Sequence, residues 1–373
     1  MVNIAKTRLY SQHIGANLCG TPQDVVRSLG AVQSQDYAHS LWAIGIRTKN
    51  ATVSDVEQAL TDGLLVRTWL MRGTVHLILA EDLTWMRTLL SERILSRLTP
   101  KAWEYHAMTP EVMERARIIL VNALSGKKAL SRRELVRDHL AAGGIFDDKQ
   151  QSYFIFDYLS HTGVLCSGPP QGKDQTFVLA DEWTTNQRQL SRDESLCVLA
   201  ERFFTSHGPA TLADYVNWSG LKVVDAKFGL QAVRSSLKSV TIDGQEYFMS
   251  PQAKESEGLF LLPGYDEFLI GYKDRSASFK TYGHTPISTY NGMFYATIIE
   301  DGQVLGVWRR TIKPKIIDAE LHPIVKLSKF QLARIQEQIE AYSAFLGKPV
   351  QLKVKGKLEI AEKGEWSKNK NNS

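Results

Sequence analysis

The residues whose types and spacing stand out are two glutamines separated by one serine. They are Gln33 and Gln35, in the segment AVQSQDYAHSLWAI, directly after an amphipathic stretch predicted as a helix over 22–32. A neutral amide is a poor acid, a poor base and a poor metal ligand, but it accepts and donates hydrogen bonds. The simplest interpretation is a helix end whose amides cap free carbonyl groups or face solvent.

Familiar catalytic signatures are absent from the sequence, which has no GxSxG, P-loop, GxGxxG before a helix or HExxH. The acidic pair Asp266-Glu267 could orient arginines or cap a turn, and too few other ligands accompany it for a metal site. Asp36 would be a stronger base than either amide, or it could cap a turn or pair with an arginine. In an extended turn it points away from Gln35, which disfavours a role as base. We predict no metal and no cofactor.

Basic side chains recur at predicted helix starts and hairpins. Arg67 and Arg72 lie in the apparent hairpin LLVRTWLMRGTVHLIL, and Arg132, Arg133 and Lys173 lie near a helix start or a second strand pair. Arginine and lysine at such places suit contacts with phosphate groups. Each one alone is compatible with ordinary solvated surface, but the set, with a net charge of +5, favours nucleic acid as a partner.

Three other side chains of the first hairpin are candidates for DNA contact. Trp69 and Met71 could wedge between bases or pack on an extruded base, although such residues more often belong to the core. His76 alternates with apolar neighbours in GTVHLIL, where a lone histidine is more often a hydrogen-bonded structural residue.

Helices followed by a pair of strands occur three times along the chain, an order typical of winged helices. In the first unit, helices over 22–32 and 53–61 precede a hairpin at Arg72-Gly73. In the second, a helix over 110–124 and a capping box over 131–134 precede strands around PPQGKDQ. In the third, an N-cap at Thr211 and helices ending at 220 and covering 222–237 precede a hairpin at Asp243-Gly244. From about residue 258 the pattern is rich in strands, with one amphipathic helix over 327–346.

These patterns predict an α+β, helix-rich protein of three tandem winged-helix modules and a C-terminal β-rich element. We place the modules at 1–105, which carries the glutamine pair, 106–192 and 193–257, and the C-terminal element at 258–373. A chain of 373 residues is long enough for several small cores.

Composition excludes some classes of protein. The 43% hydrophobic and 23% charged residues are ordinary for a globular protein, and no run of about eighteen apolar residues predicts a membrane span. The N-terminal segment lacks the apolar core of a signal peptide. Cys19, Cys166 and Cys197 are widely separated, so we expect a reduced, cytoplasmic protein without a disulfide framework or structural zinc.

Several separate segments resemble the AlkZ-like (YcaQ-like) winged-helix DNA glycosylases and occur in that family's order. They are AVQSQD, RTWLMRGTVHLI, SHGPATLADYVNWSGL, LLPGYDEFLIGYKDR and GQVLGVWRR, and the resemblance extends over about residues 5 to 350. It implies three tandem winged helices in a C shape around duplex DNA. It also implies removal of alkylated purines, including bulky adducts and, in some members, interstrand crosslinks.

The resemblance also places the family's catalytic motif, Gln-x-Gln or Gln-x-Asp, on Gln33-Ser34-Gln35, with Ser34 where the family usually has an apolar residue. A purine alkylated at N7 or N3 is cationic and leaves as a neutral base, so the enzyme need not protonate it. Two amides can hold a water and present negative dipoles to a cationic sugar. Water is then the nucleophile, without a Schiff base, and the product is a plain abasic site.

The sequence therefore predicts a monofunctional DNA glycosylase for N7- or N3-alkylated purines in double-stranded DNA, acting as a monomer and without a membrane partner. The alternative is a non-catalytic DNA-binding protein or regulator, which would usually need a symmetric dimer. No heptad repeat supplies such a dimer. A third possibility is a degenerate member of the family with neither activity.

Overall fold

The computed structural model describes residues 2–145, 149–172, 174–283, 287–289 and 292–355 and shows a mixed α/β protein. The α-helices are α1 (Ile4–Ser11), α2 (Pro22–Leu29), α3 (Tyr37–Gly45), α4 (Val53–Thr61), α5 (Leu83–Leu95), α6 (Pro100–Tyr105), α7 (Pro110–Leu124), α8 (Arg132–Glu134), α9 (Lys149–His161), α10 (Ala180–Trp183), α11 (Arg192–His207), α12 (Leu212–Ser219), α13 (Val223–Val233), α14 (Glu267–Ile270) and α15 (Lys329–Leu346).

The strands are β1 (Val32–Gln33), β2 (Leu65–Trp69), β3 (Val75–Leu79), β4 (Leu130–Ser131), β5 (Leu165–Ser167), β6 (Thr176–Leu179), β7 (Lys238–Ile242), β8 (Gln245–Met249), β9 (Leu259–Leu262), β10 (Ala296–Glu300), β11 (Gln303–Ile312), β12 (Ile317–Pro323) and β13 (Val350–Val354). A π-helical segment, Leu135–Leu140, continues α8, and short 3-10 turns lie at Met71–Gly73, Ala80–Asp82, Arg234–Ser236 and Ser276–Ser278.

Two hairpins join edge to edge in one six-stranded sheet, with the strand order β1-β3-β2-β5-β6-β4. The junction between them is the single register pair Arg67 and Ser167. The third hairpin, β7-β8, forms its own two-stranded sheet, and β9 to β13 form a five-stranded sheet. The last sheet is antiparallel except where β12 and β13 run parallel.

Helix starts follow local capping chemistry. The capping box predicted at Ser131 and Glu134 is confirmed, and Thr211 caps α12 as predicted, with Asp214 as its reciprocal partner. Helix α12 ends before Gly220, whose φ of 73° is the left-handed conformation that glycine adopts most easily. The hairpins at Arg72-Gly73 and Asp243-Gly244 are also confirmed.

The predicted helix over 22–32 is wrong at its end. Helix α2 ends at Leu29 because Gly30 has a φ of 81°, and the chain then enters β1. The glutamine pair therefore lies on an edge strand and the turn that follows it. A second boundary differs as well, since the helix predicted over 222–237 covers Val223–Val233.

Buried apolar side chains pack these elements together. One core joins α2, α3 and α4 to the C-terminal sheet and α15, and another joins the first sheet to α5 and α11 to α13. A third fills the unit formed by α7, α9 and β5 and β6. Cys19, Cys166 and Cys197 are free thiols. Among the described residues no helix is long and apolar enough to cross a membrane.

Candidate active site

The edge strand β1 positions the first glutamine. Gln33 pairs with His76 of β3, and the next backbone N–H, that of Ser34, donates to the Val75 carbonyl at 2.7 Å. Side chains two residues apart on extended backbone point to the same side. Gln33 and Gln35 accordingly line the same cavity, whereas the Ser34 side chain is fully buried.

Arg67 holds the backbone between the two glutamines. Its Nη2 donates to the Ser34 carbonyl at 2.8 Å and its Nε donates to Ser34 Oγ at 3.0 Å. Ser34 Oγ is also 2.8 Å from Ser40 Oγ. Burial lowers the pKa of Arg67 to about 10, which leaves the guanidinium protonated at neutral pH. Arg67 Nε and Nη2 are thus used inside the protein, but the side chain also lines an open cavity, and its contact with DNA stays a prediction.

Donor groups fix the orientation of both glutamine amides. Arg72 Nη2 donates to Gln33 Oε1 at 3.4 Å, and the Val75 N–H donates to Gln35 Oε1 at the same distance. A guanidinium and a backbone N–H have no acceptor to offer, so each amide must present its oxygen to them. Arg72 is itself held by the Asn217 carbonyl, at 3.0 Å from Nη1.

A buried carboxylate lies beneath the pair. Glu267, at the start of α14, accepts the Gln33 N–H on Oε1 and the Trp218 indole N–H on Oε2, both at 3.0 Å. His207 Nε2 lies 3.5 Å from Oε2. Burial acts to raise the pKa of Glu267, but the neighbouring His207 and the charge of Arg72 act in the opposite direction, and the net shift is downward.

The other acidic candidates have structural partners. Asp36 caps α3 by accepting the His39 N–H at 3.0 Å, one of the roles that the sequence left open. Asp266 caps α14 and forms a buried ion pair with Arg47 at 2.7 Å. Among the described residues no group of three histidine, cysteine or acidic side chains could hold a metal ion.

Two open cavities meet at Gln35. The motif cavity, of about 800 Å³, is lined by residues that include Gln33, Gln35, Asp36, Arg72, Tyr265 and Arg275. The basic cavity, of about 1080 Å³, is lined by residues that include Gln35, Arg67, Trp69, Arg132, Arg133 and Arg137. Gln35, which lines both cavities, is exposed, whereas Gln33 is 8% exposed.

Four of the predicted DNA-contact residues line the basic cavity, namely Arg67, Trp69, Arg132 and Arg133. Arg132 stacks over the Tyr153 ring at 5.9 Å, and Arg133 is exposed with Asp174 at 3.8 Å. Trp69 is mostly buried and stacks on Phe177, but it still contributes to the cavity wall. Lys173 lies outside the described residues.

Two predicted contacts do not reach the surface. Met71 and His76 are both fully buried, so neither can touch DNA in this structure, and their predicted role is not kept. His76 Nδ1 donates to the Thr74 carbonyl at 3.0 Å. Burial, followed by the charge of Arg72, lowers the pKa of His76 to about 4, so the ring is neutral at neutral pH.

Sequence reasoning singled out Glu267 as part of an acidic pair but did not place it beside Gln33, and it missed the other groups around the pair that come from distant segments. Trp218 and His207 lie in SHGPATLADYVNWSGL, and Tyr265, Glu267 and Arg275 lie in LLPGYDEFLIGYKDR. Both segments carry the family resemblance, which is the signal that could have found them. Spacing along the chain gives no indication that they meet Gln33.

Known proteins match both the sequence and the fold. The family model for DNA glycosylase AlkZ-like matches residues 26–345. An interstrand DNA cross-link repair glycosylase of Streptomyces sahachiroi is 25% identical over 334 residues, which cover 84% of this chain and 87% of that protein. The structure of Streptomyces sahachiroi DNA glycosylase AlkZ has the same fold, with a TM-score of 0.75 at 22% identity over 94% of this chain and 98% of the other. The chain therefore belongs to the AlkZ-like DNA glycosylases, which are hydrolases that act on N-glycosyl bonds.

Proposed function

We propose that the protein hydrolyses the N-glycosyl bond of cationic N7- or N3-alkylated purines in duplex DNA, with Gln33 and Gln35 holding the attacking water. The observation that carries the proposal is that both amides line one open cavity while a donor orients the oxygen of each. An amide oxygen has two lone pairs. One is directed at Arg72 or at the Val75 N–H, and the other remains for a water or for the sugar.

Hydrolysis of this N-glycosyl bond does not require these side chains to be strong acids or bases. The alkylated base carries a positive charge and departs neutral, so the enzyme gains most by placing the water and stabilising charge on the sugar. Oriented amide oxygens do both without a large rearrangement during the reaction. We infer that unmodified purines are not substrates, because their departure needs a proton donor that the pair does not provide.

The wider architecture suits a duplex substrate. We propose that the units at 1–105, 106–192 and 193–257 act as three tandem winged helices that, with 258–373, form a C shape around DNA bound by a monomer. Support comes from the recurring order of helices and hairpin, and from the basic cavity beside Gln35. Arg132, Arg133 and Lys173 are the proposed phosphate contacts.

Bulky lesions, including interstrand crosslinks, are proposed as substrates too. The Streptomyces sahachiroi relative is named for interstrand crosslink repair. The size of the motif cavity, about 800 Å³, and the presence of a second open cavity that also borders Gln35 support room for an adduct larger than a methyl group.

The test is single-turnover release of N7-methylguanine from a duplex with one lesion, counted as abasic sites after alkaline cleavage. We expect Gln33→Ala and Gln35→Ala each to slow release about 10²-fold, the scale of losing an oriented polar group in the transition state. Gln336→Ala, an exposed glutamine on α15, is the matched control and should release at the wild-type rate.

Asp36→Asn decides between the amides and the neighbouring acid. Asparagine still caps α3 but cannot act as a base, so release should stay within about threefold of wild type. If Asp36→Asn abolishes release and the glutamine variants do not, Asp36 is the base. Binding of lesion DNA by wild type without release above the enzyme-free control would favour a non-catalytic DNA-binding protein.

A further inference from the structure

Glu267 is a buried acid that the proposed reaction does not use directly. It is 2% exposed, and it contacts Trp218 from one distant segment and the backbone of Gln33 from another. An ionised carboxylate is expensive to bury unless its partners compensate it. A buried carboxylate directly beneath the glutamine pair is therefore a candidate for a role in the reaction.

The hydrogen bonds of Glu267 connect two elements of the fold. Oε1 accepts the N–H of Gln33 and Oε2 accepts the indole N–H of Trp218, which in turn lies on α12. The carboxylate therefore connects the edge strand β1 to α12 through hydrogen bonds, and it fixes the position from which the Gln33 side chain extends into the motif cavity.

The negative charge of Glu267 lies close to positive charges of the motif cavity. Arg72 and Arg275 line the motif cavity, and their positive charges oppose the development of a cationic sugar there. Glu267 interacts electrostatically with Arg72 and lies on the buried side of the same glutamine. A negative charge fixed in the buried wall of a cavity stabilises a developing cation without rearranging during the reaction.

We propose that Glu267 is a positioning residue of the reaction: it holds Gln33 in place through the strand backbone and offsets the charge of Arg72 so that the cavity favours a cationic sugar. This inference rests on the proposed function. It predicts that the cavity distinguishes a cation from a neutral group of the same shape, and that Glu267 is the source of the distinction.

The experiment compares two duplexes that cannot react. One carries a tetrahydrofuran abasic analogue, which is neutral, and the other a pyrrolidine analogue, which is protonated at neutral pH and imitates the cationic sugar. We expect wild type to bind the pyrrolidine duplex more tightly. Glu267→Gln keeps the size and an acceptor for the Gln33 N–H but loses the charge. It should reduce the pyrrolidine preference about tenfold and leave tetrahydrofuran binding unchanged.

Trp218→Phe is the matched control, because it disturbs the same cluster but keeps the carboxylate charge and its contact with Gln33. It should keep the pyrrolidine preference. If Glu267→Gln keeps the preference, or loses affinity for both duplexes equally, the carboxylate is merely structural and the proposal is overturned.

Glu267→Asp covers the case in which Glu267→Gln does not fold. Aspartate retains the charge but is one methylene shorter, so it should preserve the pyrrolidine preference and slow base release. Release at the wild-type rate would overturn the positioning role. A wild-type protein that releases N7-methylguanine without any pyrrolidine preference refutes this inference alone, whereas a protein that releases nothing refutes the proposed function.

Discussion

The motif cavity and the basic cavity share Gln35, and the arginines around them have two kinds of partner, which differ even between Arg67 and Arg133 of the basic cavity. Arg67 and Arg72 donate to Ser34 and Gln33, the residues whose placement matters for the chemistry. Arg133 and Arg137, in the basic cavity, are exposed and paired with the surface carboxylates Asp174 and Asp138. One set of arginines builds the site, and the other faces the solvent.

The energetic difference follows from burial. An exposed ion pair contributes about 0–1 kcal/mol, so a DNA phosphate can replace the carboxylate at little cost. Removing a donor from a buried carbonyl costs about 1–3 kcal/mol and leaves nothing to replace it. An arginine beside a predicted hairpin can therefore serve either role, and its burial in the folded protein decides which.

The largest expected effect of this difference is on catalysis by Arg67→Ala. Loss of the guanidinium leaves the buried Ser34 carbonyl and hydroxyl short of donors, and lets both glutamines shift. We expect single-turnover release of N7-methylguanine to fall at least 10²-fold, because small displacements of positioning groups have effects of this size. Arg133→Ala should release at the wild-type rate when the DNA is saturated with protein.

Arg67→Lys sharpens the result, since lysine keeps the charge but cannot donate in the same fork. If charge at this position were what mattered, for example through a phosphate contact, Arg67→Lys would be close to wild type. Recovery of release at high protein concentration by Arg67→Ala would likewise assign Arg67 to DNA binding and remove the contrast between the buried and the exposed arginines.

A smaller effect is expected from the basic cavity, in binding rather than chemistry. Arg133→Ala should weaken binding to undamaged duplex by several-fold and reduce the slope of log affinity against log salt concentration by about 1. Arg117→Ala is the matched control, because the Arg117 side chain is 41% exposed and ion-paired but does not line the cavity. Equal salt slopes in Arg133→Ala and wild type would exclude a phosphate contact at Arg133.

Local sequence signals predicted much of the fold. Capping residues and turn glycines act within a few residues, which is why the start of α12, the capping box at Ser131 and the hairpin at Asp243-Gly244 are confirmed. The end of α2 was wrong because Val32 continues the helical spacing of apolar residues. Gly30 and the pairing with β3 nevertheless place it in a strand.

The candidate site was predicted only as a pair of residues. Gln33 and Gln35 stand out locally, but Glu267 is 234 positions from Gln33 and contacts its backbone, which no side-chain pattern encodes. Met71, in the same hairpin as Arg72, shows a second limit. Apolar residues suited to contact a base are also suited to a core, and packing of the complete chain placed Met71 in the core.

The smallest effect on base release is expected from pH-dependent stability, because the groups concerned lie behind the cavities. Burial lowers the pKa values of His39, His76 and His161 to about 4, below the ordinary value of about 6.5. Between these values the unfolded chain binds more protons, so the free energy of unfolding falls as pH falls from 6.5 to 4. Asp157 opposes this trend, since burial raises its pKa to about 6 and the folded form holds the proton.

His161→Gln removes one of these histidines, whose Nε2 lies 3.6 Å from Asp157 Oδ1. His161 hydrogen-bonds with Ser91 Oγ at 2.8 Å and lines neither cavity. The variant should unfold with a pH dependence about 1 kcal/mol per pH unit shallower between pH 4.5 and 6, measured by urea titration, and release N7-methylguanine at the wild-type rate at pH 7. An unchanged pH dependence would mean that His161 titrates normally in the folded protein. Slower release at pH 7 would mean that packing behind the basic cavity controls the glutamine pair, and the two regions would then be coupled rather than separate.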